Sequence, residues 1–295
     1  MPEKKCSVIA IIGAPNAGKS TLINHLVGQK ISIVTPKVQT TRIKVTGIVV
    51  CDETQLVFID TPGIFTPKKK MQKAMVKEAW SALNQADEII FIVDSKKARA
   101  DETEALIKQL SRLETTPILV LNKVDKIEKH NLLPIAEELN GKMKFEQIFM
   151  ISALKGDGTE DLKNYLIKKA KKSEWRYPED QVSDLPMKLL AAEETREKLF
   201  LALQQEIPYG LMVETEKWDE TKNKVDIYQV IYVNREGHKN IIIGKGGSLI
   251  KQIGQKARKS LENMLGKKVN LFLHVKYQEN WDENKIFLRS IGFNE

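Results

Sequence analysis

Gly13-Ala14-Pro15-Asn16-Ala17-Gly18-Lys19-Ser20 constrains this chain more than any other stretch. It follows the apolar run Val8–Ile12 and precedes the helix-like spacing of Leu22, Ile23 and Leu26. A glycine-rich turn between a strand and a helix aims consecutive N–H groups, and the positive end of the helix, at one point. That point suits the α- and β-phosphates of a nucleotide. The Lys19 ammonium would neutralise β/γ oxygens, the Ser20 hydroxyl would ligate Mg²⁺, and Thr21 completes the first helical residues behind them. A strand, turn and helix of this kind also commit the first part of the chain to an α/β fold with ligands at the C-terminal strand ends.

The base is read about a hundred residues later. Asn122-Lys123-Val124-Asp125 follows the apolar run Pro117–Leu121. An ionised Asp125 accepts from the N1–H and 2-amino groups of guanine, donors that adenine does not offer. Asn122 would tie this loop to the P-loop and the base edge, and the alkyl stem of Lys123 would cover one purine face. Asp60-Thr61-Pro62-Gly63, after Leu56–Ile59, supplies a carboxylate for Mg²⁺ through a water and a Gly63 amide for the γ-phosphate. Ser152-Ala153-Leu154, after Ile148–Ile151, fits a loop whose Ala153 amide reads the guanine carbonyl oxygen. In Gln39-Thr40-Thr41-Arg42 a threonine hydroxyl can close over Mg²⁺ and the γ-phosphate, with Thr41 the first candidate and Thr40 the second. Ile64 stands where many small GTPases carry the glutamine that orients the attacking water. An apolar side chain cannot do so, and unaided hydrolysis is expected to be slow.

At 295 residues the chain can bury two cores. Its two cysteines, Cys6 and Cys51, lack paired or metal-ligand spacing, which argues for a reducing compartment and against a disulfide scaffold. The apolar runs are strand-length, and the first begins by Val8, so a cytosolic chain without a cleaved leader is expected, with peripheral membrane contact left open. His25, His130, His238 and His274 have no metal-ligand spacing and read as surface or packing residues.

Apolar runs at Val8–Ile12, Val45–Val50, Leu56–Ile59, Ile89–Val93, Ile118–Leu121 and Ile148–Ile151 alternate with amphipathic stretches. The pattern predicts a mostly parallel sheet with helices on both faces, plus a hairpin through Asp52-Glu53-Thr54. A nucleotide-binding domain is therefore expected over residues 5–172. Residues 173–186, containing Ser173-Glu174-Trp175-Arg176-Tyr177-Pro178, read as a linker. Residues 187–295 then follow the order α-β-β-α-α-β of a type II KH fold with a C-terminal extension.

Within that second part, Ile243-Gly244-Lys245-Gly246-Gly247 contains the G-x-x-G loop by which KH domains let a nucleic-acid backbone approach. Ile250, Ile253, Ala257, Leu261, Met264 and Leu265 keep one face of the following helix apolar. Residues 235–268 hold nine Lys/Arg, Lys251 among them, against Glu236 and Glu262, a net +7 where the whole chain carries +8. An excess so concentrated beside an apolar groove suits phosphate binding.

These segments, in this order and spacing, resemble a translation-factor-type GTPase. Asn16 and Gln39-Thr40-Thr41-Arg42 narrow the resemblance to the Era-like GTPases. The second half, with Glu206-Ile207-Pro208-Tyr209-Gly210 and the glycine loop, is similar to the RNA-binding half of that family. The resemblance implies a monomeric GTPase that cycles between GTP and GDP with Mg²⁺. It implies 16S ribosomal RNA near its 3′ end as ligand, a place in 30S subunit assembly, and a KH domain whose placement follows the nucleotide. It also makes Asn16, with carbonyls near Ile31–Val38, a candidate K⁺ ligand. Two other readings stand beside it: a peripheral membrane switch tied to cell cycle or growth, and a GTPase partner in tRNA modification.

Overall fold

β1 (Lys5–Ile12) is buried at every residue after the first and is paired on both sides, which explains its unbroken apolar run. The computed structural model describes residues 3–37, 40–63, 67, 70–204 and 206–284. The chain divides into two compact units, residues 1–67 with 75–184 and residues 68–74 with 185–295.

In the first unit the sheet order is β2 (Val45–Cys51), β3 (Thr54–Asp60), β1, β4 (Glu88–Asp94), β5 (Ile118–Asn122), β6 (Ile148–Ile151). All these pairs are parallel except β2 with β3, where Cys51 faces Thr54 and Asp52 turns the chain with φ 50°. One face packs Ala79 and Leu83 of α2 (Lys70–Leu83), Leu106 and Leu110 of α3 (Asp101–Leu110), and Ile135 and Leu139 of α4 (Leu132–Lys142) on Ile12, Phe91 and Leu121. α1 (Lys19–Val27) and α5 (Thr159–Lys169) bury Leu22, Ile23, Leu162 and Leu166 completely. A seventh strand, β7 (Lys171–Lys172), pairs antiparallel with Lys5 and Cys6.

Residues 173–184, expected as a linker, instead run along β2 and β3. The buried Gln55 side chain accepts from Arg176 N and Tyr177 N at 2.9 and 3.1 Å and donates to Tyr177 O at 2.9 Å. Ile48 N donates to Val182 O at 2.9 Å, and Trp175 Nε1 to Glu53 O at 3.1 Å. One glutamine thus satisfies three backbone groups of a strap that carries no sheet pattern of its own.

The second unit has the expected order: α6 (Met187–Ala202), β8 (Leu211–Glu220), β9 (Lys224–Val233), α7 (Glu236–Ile243), α8 (Ser248–Leu265) and β10 (Lys268–Tyr277). β9 lies centrally, parallel to β10 and antiparallel to β8. Its alternate residues Val225, Ile227, Ile231 and Val233 face the helices, which contribute Leu199, Phe200, Ile242, Ile253 and Leu261. On α8, Ile253, Ala257 and Leu261 are buried as expected, while Ile250, Met264 and Leu265 are partly so. Trp281 is fully buried, its indole N–H donating to Gly210 O at 3.2 Å. Among the described residues no helix is long and apolar enough to cross a membrane.

Candidate functional sites: a nucleotide cleft and a glycine turn

The C-terminal ends of β1, β3, β5 and β6 open on a cleft of about 440 Å³ lined by the P-loop and by residues from the other expected segments. Gly13–Gly18 connect β1 to α1, with Asn16 at φ 64° and Gly18 at φ 108°. Gly18 is required on two counts: its φ is left-handed, and a Cβ there would lie 2.1 Å from Asn122 Nδ2. No side chain caps α1, so its first N–H groups are left for a ligand in the cleft. Ala14 O accepts from Ala17 N at 3.2 Å, which closes the turn around Pro15 and Asn16.

Lys19 is 5% exposed, and its ammonium donates to Gly13 O and Ala14 O, both at 3.0 Å. Burial pushes it down to about 8, against the opposing pull of Asp60. Three hydroxyls meet the Asp60 carboxylate: Ser20 at 2.6 Å, Ser32 at 2.8 Å and Thr41 at 3.4 Å, all on Oδ2. Ser20 Oγ and Thr41 Oγ1 are themselves 2.8 Å apart. Burial raises Asp60 while these donors and Lys19 pull it down. Asp60 Oδ1 is buried with no hydrogen-bond partner among the described residues. An ionisable oxygen left in that condition next to two hydroxyls fits a divalent cation.

Of the two threonine candidates, Thr41 faces this cluster. Thr40 bonds Thr35 Oγ1 at 2.6 Å and Lys37 O at 2.7 Å. Thr61 anchors its loop to β1 by donating to Ile11 O at 2.8 Å, and Pro62 and Gly63 are buried, Gly63 against Pro15. Ile64, Gln39 and Val38 lie outside the described residues.

At the far end of the cleft Asn122 joins three segments. Its Nδ2 donates to Ala17 O at 2.8 Å and its Oδ1 accepts from Ala153 N at 3.0 Å. Ala153, whose N–H is expected to read the guanine oxygen, lines this end of the cleft and donates that N–H to Asn122. Asp125 is exposed to the cleft, and the Ser152 hydroxyl, donating at 2.7 Å, holds it below the usual carboxylate range. Val124 sits in the short helical turn carrying Asp125, and Leu154 projects with 75% of its surface exposed. Lys123, in left-handed backbone at φ 64°, donates from Nζ to Asn16 O at 2.6 Å. Asn16 Nδ2 donates to Pro36 O at 2.8 Å, linking the P-loop to the segment named for a cation.

Two contributors had no assigned role in the sequence. Ser32 reaches Asp60, and Asn24 clamps the backbone beneath it, accepting from Ile31 N and Ser32 N and donating to Ser32 O at 2.7 Å. Their signal is faint: a polar residue one turn after Ser20 on an apolar helix, and a serine between isoleucines.

In the second unit, Gly244 ends α7 at φ 73°, and Gly246 and Gly247 (φ 60° and 76°) lead into α8. A Cβ on Gly244 would lie 2.8 Å from Leu249 Cβ, whereas Gly246 and Gly247 face open space. Lys245, Lys251, Lys256, Arg258 and Lys259 are exposed, and Ile243 and Ile250 are partly buried beside the turn. Of the nine cations in residues 235–268, Lys267 alone has an ion-pair partner among the described residues, Glu220.

A P-loop cleft with an exposed aspartate at its base end, followed by a unit with the KH order and glycine turn, defines a class: GTPases joined to an RNA-binding module. Family models agree, one described as 50S ribosome-binding GTPase over residues 8–123 and one as KH domain over residues 206–282. GTPase Era of Sinorhizobium medicae (strain WSM419) is 50% identical over 287 residues, 97% of this chain and 93% of that protein. The Rickettsia conorii GTPase Era is 50% identical over 288 residues, 97% of this chain and 85% of that one. A crystal structure of Era in complex with MgGDPNP and nucleotides 1506–1542 of 16S ribosomal RNA superimposes with TM-score 0.94 at 38% identity, over 99% of this chain and 100% of that one. Aquifex aeolicus Era bound to GDP and AlF4⁻ gives the same values. The chain belongs to the Era family of GTPases.

Proposed function

We propose that this chain hydrolyses GTP to GDP and phosphate and binds 16S ribosomal RNA near its 3′ end, acting as a switch in assembly of the 30S subunit. The observation that carries the enzymatic part is the meeting of Ser20, Thr41 and the half-satisfied Asp60 carboxylate beside the Lys19 ammonium. Ser20 and Thr41 would hold Mg²⁺ directly and Asp60 through water. When bound, the ion compensates charge on the β- and γ-phosphate oxygens.

The chain's own residues do the rest. P-loop N–H groups and Lys19 hold the phosphates in line for water to attack the γ-phosphorus as the bond to the β-phosphate oxygen breaks. Gly63 N–H meets the γ-phosphate, and Asp125 selects guanine. The relatives named above support the RNA part, as does the open turn at Gly246 and Gly247 beside the exposed Lys245 and Lys251. The GTPase domain is assigned to residues 5–172, the connecting segment to 173–186, and the KH domain with its C-terminal extension to 187–295.

Asn16 remains the candidate for K⁺. Its amide already reaches a carbonyl of the neighbouring segment, and ligation asks for Oδ1 to turn to the same place. K⁺ in place of Na⁺ should then speed hydrolysis several-fold, and Asn16→Ala should remove the difference. Equal rates in the two salts return Asn16 to a loop-bracing role.

The overall reading is tested by crosslinking in cells and sequencing the attached RNA. Enrichment at the 16S 3′ end is expected, and reads scattered over all RNA would refute it. A cytoplasmic location follows from this partner. Sedimentation with anionic vesicles tests the peripheral membrane alternative, and that binding should vanish at moderate salt.

A further inference from the structure

β4 ends in Asp94, a carboxylate with no assigned role and with both oxygens engaged. Oδ1 accepts from Lys96 N at 3.0 Å, and Oδ2 accepts from Lys123 Nζ at 2.7 Å. The Lys123 ammonium donates onward to Asn16 O at 2.6 Å. The next residue, Ser95, is 2% exposed and donates from Oγ to Asn122 O at 2.8 Å. The two residues that open the base-reading loop are therefore both held from the end of β4, Lys123 by its side chain and Asn122 by its carbonyl.

We propose that Asp94 is a positioning residue for the guanine nucleotide: it holds the Lys123 ammonium on the P-loop carbonyl of Asn16 and so locks the base-reading loop to the phosphate-binding loop. Lys123 and Asn16 both sit at turns with φ 64°, and the ammonium bridges the two turns. With Asp94 and Lys123 side chains 12% and 25% exposed, the pair is shielded from water more than a surface ion pair is. Without Asp94, Lys123 has one neutral acceptor and a route into solvent, and its stem is no longer fixed against the purine. This rests on the cleft being the guanine-nucleotide site.

The experiment is stopped-flow dissociation of a fluorescent GDP from the full chain carrying Asp94→Ala, Lys123→Ala, both, or Asp94→Asn. Each alanine variant should release nucleotide about tenfold faster. The double variant should release it no faster than Lys123→Ala, because Asp94 acts through that side chain. Asp94→Asn keeps an acceptor for Lys96 N and loses only the charge, so its rate should fall between. Multiplied rates in the double variant would show a general structural role and overturn the proposal, as would a wild-type rate for folded Asp94→Asn and Asp94→Ala. If the unmodified protein bound the fluorescent GDP no better than its adenine counterpart, the guanine reading of the cleft would itself fail.

Discussion

The nucleotide cleft and the glycine turn use the same materials, glycine backbone and lysine, in opposite ways. In the cleft the cation is buried, pushed down to about 8 and tied to two carbonyls, and one carboxylate gathers three hydroxyls. At the turn Lys245, Lys251, Lys256, Arg258 and Lys259 are exposed and without ion-pair partners among the described residues, and two of the glycines face open space. Burial makes each contact strong and geometrically fixed, as discrimination and catalysis require. Exposure leaves long-range attraction that adds over many weak contacts and is screened by salt. Single substitutions should therefore be severe in the cleft and graded at the turn.

The largest effect should come from Asp60→Ala and Lys19→Ala, each reducing GTP turnover by about 10²- to 10³-fold, while RNA affinity of the nucleotide-free protein stays near its normal value. Undiminished turnover in both would place the reaction elsewhere and break the contrast at its root. Asp125→Asn should follow, since an amide cannot accept both guanine donors; preference should move about 10²-fold from guanine toward xanthine nucleotides. A variant that still strongly prefers GTP over XTP in competition would remove Asp125 from base reading.

At the turn, Gly246→Asp with Gly247→Asp adds carboxylates where no described residue stands within 4 Å of the new Cβ atoms, and aspartate tolerates left-handed backbone better than most residues. Affinity for the 16S 3′ end should fall about tenfold or more through charge alone, with GTP turnover intact. Gly244 is a poorer probe, because its Cβ would strike Leu249. Lys245→Ala and Lys251→Ala should each cost a few-fold for every RNA sequence and lower the salt slope by about one. Normal RNA affinity in a folded double-aspartate variant would reduce the turn to a helix connector.

Legibility followed burial and range. Strands covered on both faces, such as Phe91 to Val93 in β4, write themselves as continuous apolar runs, and the motifs at their ends follow. β7 is two lysines and carries no such mark. The outer half of β8, Lys217 to Glu220, is exposed and charged except for the half-buried Trp218, and is displaced by a bulge between Thr215 and Lys217. The strap at 173–184 depends on Gln55 more than 120 residues away. Asp94, Ser32 and Asn24 are single polar residues beside apolar stretches, and only the folded chain shows what each one meets.

The smallest effect belongs to pH and tests whether burial is what distinguishes Lys19 from the cations of the turn. An unfolded chain holds a lysine proton to about 10.4, whereas folded Lys19 gives it up near 8. Below pH 8 both states are protonated and the cost of burying the charge is borne in full. Between pH 8 and about 10.4 the unfolded chain binds more protons, so this residue makes nucleotide-free protein more stable as pH rises. Phosphate needs the ammonium, so nucleotide affinity should fall over the same interval, by less than tenfold per pH unit, and binding should take up a proton. Calorimetry at pH 8.5 in buffers of different ionisation enthalpy measures that uptake, and Lys19→Met should abolish both slopes. RNA affinity, resting on exposed lysines, should show no such break near pH 8. Parallel pH profiles for the two ligands would mean that Lys19 is no more perturbed than a surface lysine, and the contrast between the sites would lose its electrostatic basis.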